Sequence, residues 1–188
     1  MVQLSILVRS QNPVQAIQTG KDTLICGDCP VRPYCYVQTG KMPLAIWRAV
    51  KGQRIQSGYK AYGGSKPIRL GAYGDPAFLP YALLSKLAKH RKHTGYTHQW
   101  RTCHTAYAKY LMASVETPQQ ATAAQGKGYR TYRILPSTDT PLMADEILCP
   151  NYTHGVLCAD CGLCNGTTGG AKNIAIPAHG NRKGLAAK

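Results

Sequence analysis

Acidic residues are scarce in this chain: 8 Asp and Glu stand against 23 Lys and Arg in 188 residues, a formal charge of +15. None occurs between Cys29 and Gly74 or between Pro76 and Val115, so Asp75 is isolated in a basic half-chain. Such a field attracts polyanions, which makes nucleic acid, an anionic substrate, a nucleotide cofactor or anionic lipid admissible partners. The competing reading is that the Lys and Arg residues only solvate the surface. Long apolar runs are also missing. No stretch reaches the 18 or so residues that a membrane-spanning helix needs, so no membrane span is expected. Met1 to Ser10 has neither a basic leader nor a small-residue cleavage site, which points to a cytoplasmic protein in a reducing compartment.

Against that background the 8 cysteines stand out. In a reducing compartment clustered thiolates hold metal rather than pair with one another. Four of them, Cys149, Cys158, Cys161 and Cys164, follow the pattern C-P-x7-C-x2-C-x2-C. Three sulfurs at two-residue intervals with a remote fourth suit a cubane 4Fe–4S cluster, because each short loop turns one thiolate inward. Zinc also accepts four thiolates, but its sites are more often built from two separated C-x2-C knuckles. Three cysteines within seven residues are poorly placed to be inert core thiols, and nothing supports disulfides.

A second run, Cys26, Cys29 and Cys35, reads C-x2-C-x5-C in a loop made irregular by Gly27, Pro30 and Pro33. Three thiolates without a local fourth can hold a second cluster with one iron open, or take Cys103 as fourth ligand. A structural zinc completed by Cys103 or His104, or partly buried thiols, are the alternatives.

The rest of the chain alternates strand and helix signals. An apolar segment, Leu4 to Val8, is expected to open the chain as a strand, and Met42 onward forms an amphipathic helix ending near Gly52. Tyr59, Tyr62 and Gly63-Gly64 read as a turn. Ile68 to Gly74 is strand-like, and the helix after it carries Leu79, Leu83, Leu84, Leu87 and Ala88 at helical spacing before Lys89-His-Arg-Lys92. Further strands are expected at Gly95–Trp100, Leu111–Val115, Tyr129–Leu135 and Asn173–Pro177, with a short helix from Pro118 to Gly126. This order predicts an α/β fold with a parallel sheet. The expected division is an α/β body over 1–141, a cysteine-rich segment with the final strand over 142–180, and a basic tail over 181–188.

Asp75 before Pro76 suits a helix N-cap. Gly71 and Gly74 at a strand's carboxyl end also allow a ligand close to the backbone, which is where βα units place their sites. Ser114 and Glu116, at the end of the strand expected over Leu111–Val115, can meet the same ligand, and Glu116 can equally serve as first-turn charge for the helix that follows. His98, His104 and His179 are more often polar or core residues than metal ligands.

Taken together, Arg69-Leu-Gly-Ala-Tyr-Gly-Asp-Pro76, Gly95-Tyr-Thr-His98, Met112-Ala-Ser-Val115, the Cys149 to Cys164 run and Ile176-Pro-Ala-His-Gly180 resemble a bacteriophage family, the gene-product-88 type, over roughly residues 24–180. A viral protein of that kind would act in the host cytoplasm. More distantly the layout is similar to radical S-adenosylmethionine proteins. That resemblance implies a partial parallel βα barrel. It makes Cys26, Cys29 and Cys35 an open-cluster loop, Gly71 to Asp75 the motif for the amino group of S-adenosylmethionine, and Cys149, Cys158, Cys161 and Cys164 an auxiliary 4Fe–4S site. The N-terminal spacing departs from the C-x3-C-x2-C usual in that family. Two other readings stand beside an enzyme: a non-catalytic iron–sulfur protein, and a nucleic-acid-binding protein with structural zinc or iron–sulfur sites.

Overall fold

The computed structural model of the protein describes residues 1–55, 64–168 and 172–179. The turn expected around Tyr59 to Gly63 and the basic tail lie outside the described residues.

Strand β1 (Val2–Ser5) leads into three helices, α1 (Pro13–Gln18), α2 (Thr23–Cys26) and α3 (Met42–Lys51). Then come β2 (Ile68–Tyr73), α4 (Tyr81–Ala88), β3 (His93–Thr97), β4 (Met112–Val115), α5 (Pro118–Gly126) and β5 (Thr131–Leu135). The chain continues through β6 (Glu146–Leu148), α6 (Pro150–His154), α7 (Cys158–Cys161) and β7 (Asn173–Pro177). The seven strands make one sheet in the order β1-β2-β3-β4-β5-β7-β6, and every neighbouring pair is parallel. The α/β architecture expected from the alternating pattern is therefore present, in a form compatible with a partial βα barrel. Because β7 inserts between β5 and β6, the final strand belongs to the same sheet as the body.

Side chains alternate across a strand, and here the two faces meet different partners. Ile68 and Leu70 of β2 pack against Leu84 and Leu87 of α4. Ala113 and Val115 of β4 pack against Ala121 and Ala124 of α5. This is the outer face. The inner face presents Arg69, Gly71 and Tyr73 from β2, Thr94 and Tyr96 from β3, Ser114 from β4, Tyr132 and Ile134 from β5 and Ile176 from β7. In place of a helix from the α4–α5 layer, it meets Cys149, Leu163 and Cys164, which pack on Met112, Ile174 and Ile176.

Several boundaries differ from the expectation for identifiable reasons. The first strand lies at Val2–Ser5 rather than Leu4–Val8, because β1 pairs with β2 from Val2↔Ile68 onward, and Val8 instead joins a cluster with Ala16, Ile25 and Tyr73. The third strand begins at His93, which is buried along with the following Thr94, and ends before a 3-10 turn over Gln99–Arg101. Asp75 does cap, but it caps a 3-10 turn over Pro76–Phe78, and α4 starts separately after Pro80.

β6 has no apolar alternation to reveal it. Its Glu146 is 6% exposed and forms a two-point pair with Arg133, which is 1% exposed. Nε of Arg133 donates to Oε1 at 2.8 Å and Nη2 to Oε2 at 2.6 Å. Arg133 also donates to the Pro141 carbonyl at 2.8 Å, and the Met143 amide donates to Glu146 at 2.9 Å. Such a pair is costly to break, since removing one partner strands a buried charge. Glu146→Ala is expected to lose about 3–5 kcal/mol of unfolding free energy, read as the shift of a urea midpoint. The paired change Arg133→Met with Glu146→Leu is expected to lose clearly less.

Candidate metal and ligand site

The inner face and two cysteine-bearing segments enclose a cavity of about 270 Å³. Seven of the 8 cysteines line it: Cys26, Cys29, Cys35, Cys149, Cys158, Cys161 and Cys164. All are free thiols. Gly71, Gly74, Asp75 and Ser114, each expected at a ligand site, line the same cavity, as do His98 and His179. The two cysteine runs, far apart in sequence, thus face one another.

Each run is fixed to the sheet by its backbone. In the N-terminal segment the Asp75 amide donates to the Ile25 carbonyl at 2.7 Å, and Gln99 donates to the Cys26 carbonyl at 3.1 Å. Arg32, between Cys29 and Cys35, forms an ion pair with the buried Asp22, with Nε donating to Oδ2 at 2.8 Å. At the C-terminal run, the Cys149 amide donates to Ala175 of β7 at 2.9 Å, and the Gly95 amide of β3 donates to the Cys164 carbonyl at 3.0 Å. Arg130 clamps the chain on either side of Cys164, donating to the Leu163 carbonyl at 2.9 Å and the Gly166 carbonyl at 2.7 Å. Between the anchored ends, Gly155 and Gly162 end α6 and α7 with left-handed φ values of 67° and 66°.

Asp75 is 7% exposed and joins two strand ends. Its Oδ1 accepts the Ala77 amide at 2.9 Å and its Oδ2 accepts the His98 amide at 2.8 Å. Burial raises its pKa, while these hydrogen bonds, another from the Thr97 side chain and the nearby His98 pull it down; the net direction is upward. Gly71 (φ +70°) marks a bulge: Gln3 pairs with Arg69 but Ser5 with Tyr73. A Cβ at Gly71 would lie 2.6 Å from both the Gly74 carbonyl oxygen and Pro76 Cδ. One at Gly74 would lie 2.8 Å from Cβ of Ile6. The close approach these glycines permit is thus made first by the protein's own chain, which folds the strand end tightly enough to bring Asp75 to the cavity.

His98 lies between the N-terminal cysteines and the end of β4. Its Nδ1 is 3.6 Å from Cys29 Sγ, and its Nε2 is 3.5 Å from Glu116 Oε1, an ion-pair distance without hydrogen-bond geometry. Burial alone would lower its pKa, but Cys29 and Glu116 outweigh burial and push it up to about 10. Burial pushes Cys26 and Cys164 up to about 12, reinforced at Cys26 by nearby Cys29 and Asp22 and opposed at Cys164 by a hydrogen bond from Tyr96. Both stay protonated at neutral pH unless a cation enters the cavity, and metal coordination is the usual way such thiols ionise.

Other members of the site carry no motif in the sequence. Arg69 is the one Lys or Arg among the described lining residues, and its guanidinium hydrogen-bonds with the side chains of Tyr36 and Cys158. Tyr96 and Tyr132 pack together with ring centroids 4.3 Å apart. Their common signal is parity, since both tyrosines and Arg69 occupy the inward positions of β2, β3 and β5. Cys103 does not join the site as a fourth ligand. It packs beside the outer-face cluster with its Sγ 3.2 Å from the Tyr129 hydroxyl. His104 is exposed and caps the 3-10 turn after it, accepting the Ala106 amide at 3.1 Å.

Among the described residues no three His, Cys, Asp or Glu side chains are gathered tightly enough to hold a single metal ion. A cubane asks for something different, because each of its thiolates binds a separate iron and the ligands stand around the cluster. The donor set suits it: free thiols from anchored short loops, a largely apolar wall and a cavity between them. No family model, curated protein or solved structure matches the chain.

The two-strand clamp at Asp75 can be tested by substitution. Asp75→Ala leaves two buried amides without an acceptor and is expected to cost about 2–4 kcal/mol in denaturant unfolding. Asp75→Asn keeps one acceptor oxygen and is expected to recover a substantial part of that loss.

Proposed function

We propose that this chain is an iron–sulfur protein that holds a 4Fe–4S cluster on Cys149, Cys158, Cys161 and Cys164. In the same reading Cys26, Cys29 and Cys35 form a second, three-thiolate site that leaves one iron open to a ligand. The observation that supports it is the convergence of seven thiols from two distant segments on one cavity. When bound, such a cluster supplies one-electron chemistry.

The ligand of the open position, by the similarity to radical S-adenosylmethionine proteins, would be S-adenosylmethionine. Asp75 accepts from two main-chain amides and from the Thr97 side chain, which leaves its carboxylate room for one further donor such as an amino group. Ser114, 3% exposed, offers a hydroxyl on the same face. Arg69 supplies a positive charge for an anionic ligand, and the Tyr96–Tyr132 pair keeps water from that wall. The phage-family likeness and a place in the host cytoplasm belong to the same proposal. Among the described residues no helix is long and apolar enough to cross a membrane.

Protein purified without oxygen from iron-replete cells is expected to carry iron and sulfide in equal amounts. Cys158→Ala/Cys161→Ala should remove the C-terminal share, and Cys26→Ala/Cys29→Ala should remove any N-terminal share while sparing the first. Reduced wild type should then bind S-adenosylmethionine in equilibrium dialysis, and the Cys26/Cys29 variant should not. Stoichiometric zinc without sulfide would refute the iron–sulfur reading. Iron and sulfide without S-adenosylmethionine binding would leave a non-catalytic cluster protein.

A further inference from the structure

A second cleft, of about 460 Å³, opens at the amino-terminal edge of the sheet, where β3 begins. It lies at the opposite end of β3 from His98. Its wall takes in the run Lys89, His90, Arg91 and Lys92 between α4 and β3, together with Lys109 from the 3-10 turn before β4 and Asn165 from the segment after Cys164. None of its described lining residues is acidic.

The simplest explanation of basic residues after a helix is that they offset the negative end of its dipole. Lys86, inside the last turn of α4, already stands there. Lys109 comes from a different part of the chain, so its convergence on the same cleft is not explained by capping. The loop is also held in a specific shape. His90 adopts a left-handed φ of 66°, uncommon for a residue with a side chain. Arg91 donates to the Gly64 carbonyl at 3.0 Å, and Lys92 reaches the Asp160 carbonyl at 3.3 Å. The buried His93 ring packs edge-on against Tyr110 at 5.9 Å and anchors the end of the run.

We propose that this cleft is a binding site for the phosphodiester backbone of nucleic acid. Lys89, Lys92 and Lys109 are exposed side chains distributed around an open cleft, so each can meet a different phosphate. The chain's +15 charge raises the local concentration of any polyanion. Base-edge donors and acceptors are sparse here, and Asn165 and Thr168 are the neutral polar side chains beside Tyr110. The site therefore grips the backbone with little sequence preference.

The test is fluorescence anisotropy of a labelled single-stranded oligonucleotide with the full chain over a salt series. Lys89→Ala/Lys109→Ala removes two exposed lysines, and Lys21→Ala/Lys41→Ala removes two others remote from the cleft, so net charge changes equally. Wild type should bind with a strong salt dependence. The cleft variant should bind more weakly, with a slope of log affinity against log salt shallower by about 1.4, from about 0.7 per phosphate contact on a single strand. The remote variant should stay close to wild type. Equal loss in both variants, no change in either, or no binding by wild type would overturn the proposal. Competition by inorganic phosphate at the concentration of oligonucleotide phosphates would overturn it in favour of a small phosphate ligand. Iron and sulfide content of the cleft variant, measured alongside, separates this outcome from the fate of the cluster reading.

Discussion

The inner face of the parallel sheet must be covered, and here the cover is made of cysteine-bearing chain. In most parallel sheets helices bury both faces, because crossover connections place them there. In this protein α4 and α5 pack on the outer face, and Met112, Ile174 and Ile176 of the inner face rest on Cys149, Leu163 and Cys164. The C-terminal run therefore closes the core as well as lining the cavity. A bound metal there would add to folding, since its binding free energy would go into ordering the segment that covers the sheet.

That constraint explains why the polar hardware concentrates where it does. The carboxyl ends of β2, β3 and β4 deliver Asp75, His98 and Ser114 to one edge. Asp75 ties the first two ends together through main-chain amides, and Gly71 bends β2 so that it can. The backbone bonds at Ile25, Cys149 and Cys164 then set both cysteine runs against the same cavity. Thiols buried this way, with Cys26 and Cys164 pushed up to about 12, are stable as neutral groups only until a cation is offered.

Much of this is legible in the sequence where one signal dominates. β2, β4, β5 and β7 carry strand formers with clear boundaries, and α5 has Thr117 and Pro118 to start it. β6 is invisible there, because a three-residue strand bearing a buried Glu depends on the distant Arg133 and on pairing with β7. The start of β3 is hidden in a basic run that reads equally well as a helix end. In the site, spacing picks out the cysteine runs but cannot tell that they face each other, since that depends on sheet order. Arg69 escapes notice because charge composition assigns basic residues to the surface, whereas its inward position on β2 puts it in the cavity. Cys103 attracts attention through its neighbours in sequence, yet the turn after β3 carries it to the outer face.

Central here is the proposal that iron is held in one cavity by both cysteine runs. Diffraction from crystals grown without oxygen, with data collected at the iron and zinc absorption edges, tests it directly. The expected result is an iron signal the size of a cubane bonded to Cys149, Cys158, Cys161 and Cys164, on the inner face of the sheet. A zinc signal there, or disulfides joining these cysteines with no iron between them, would contradict it.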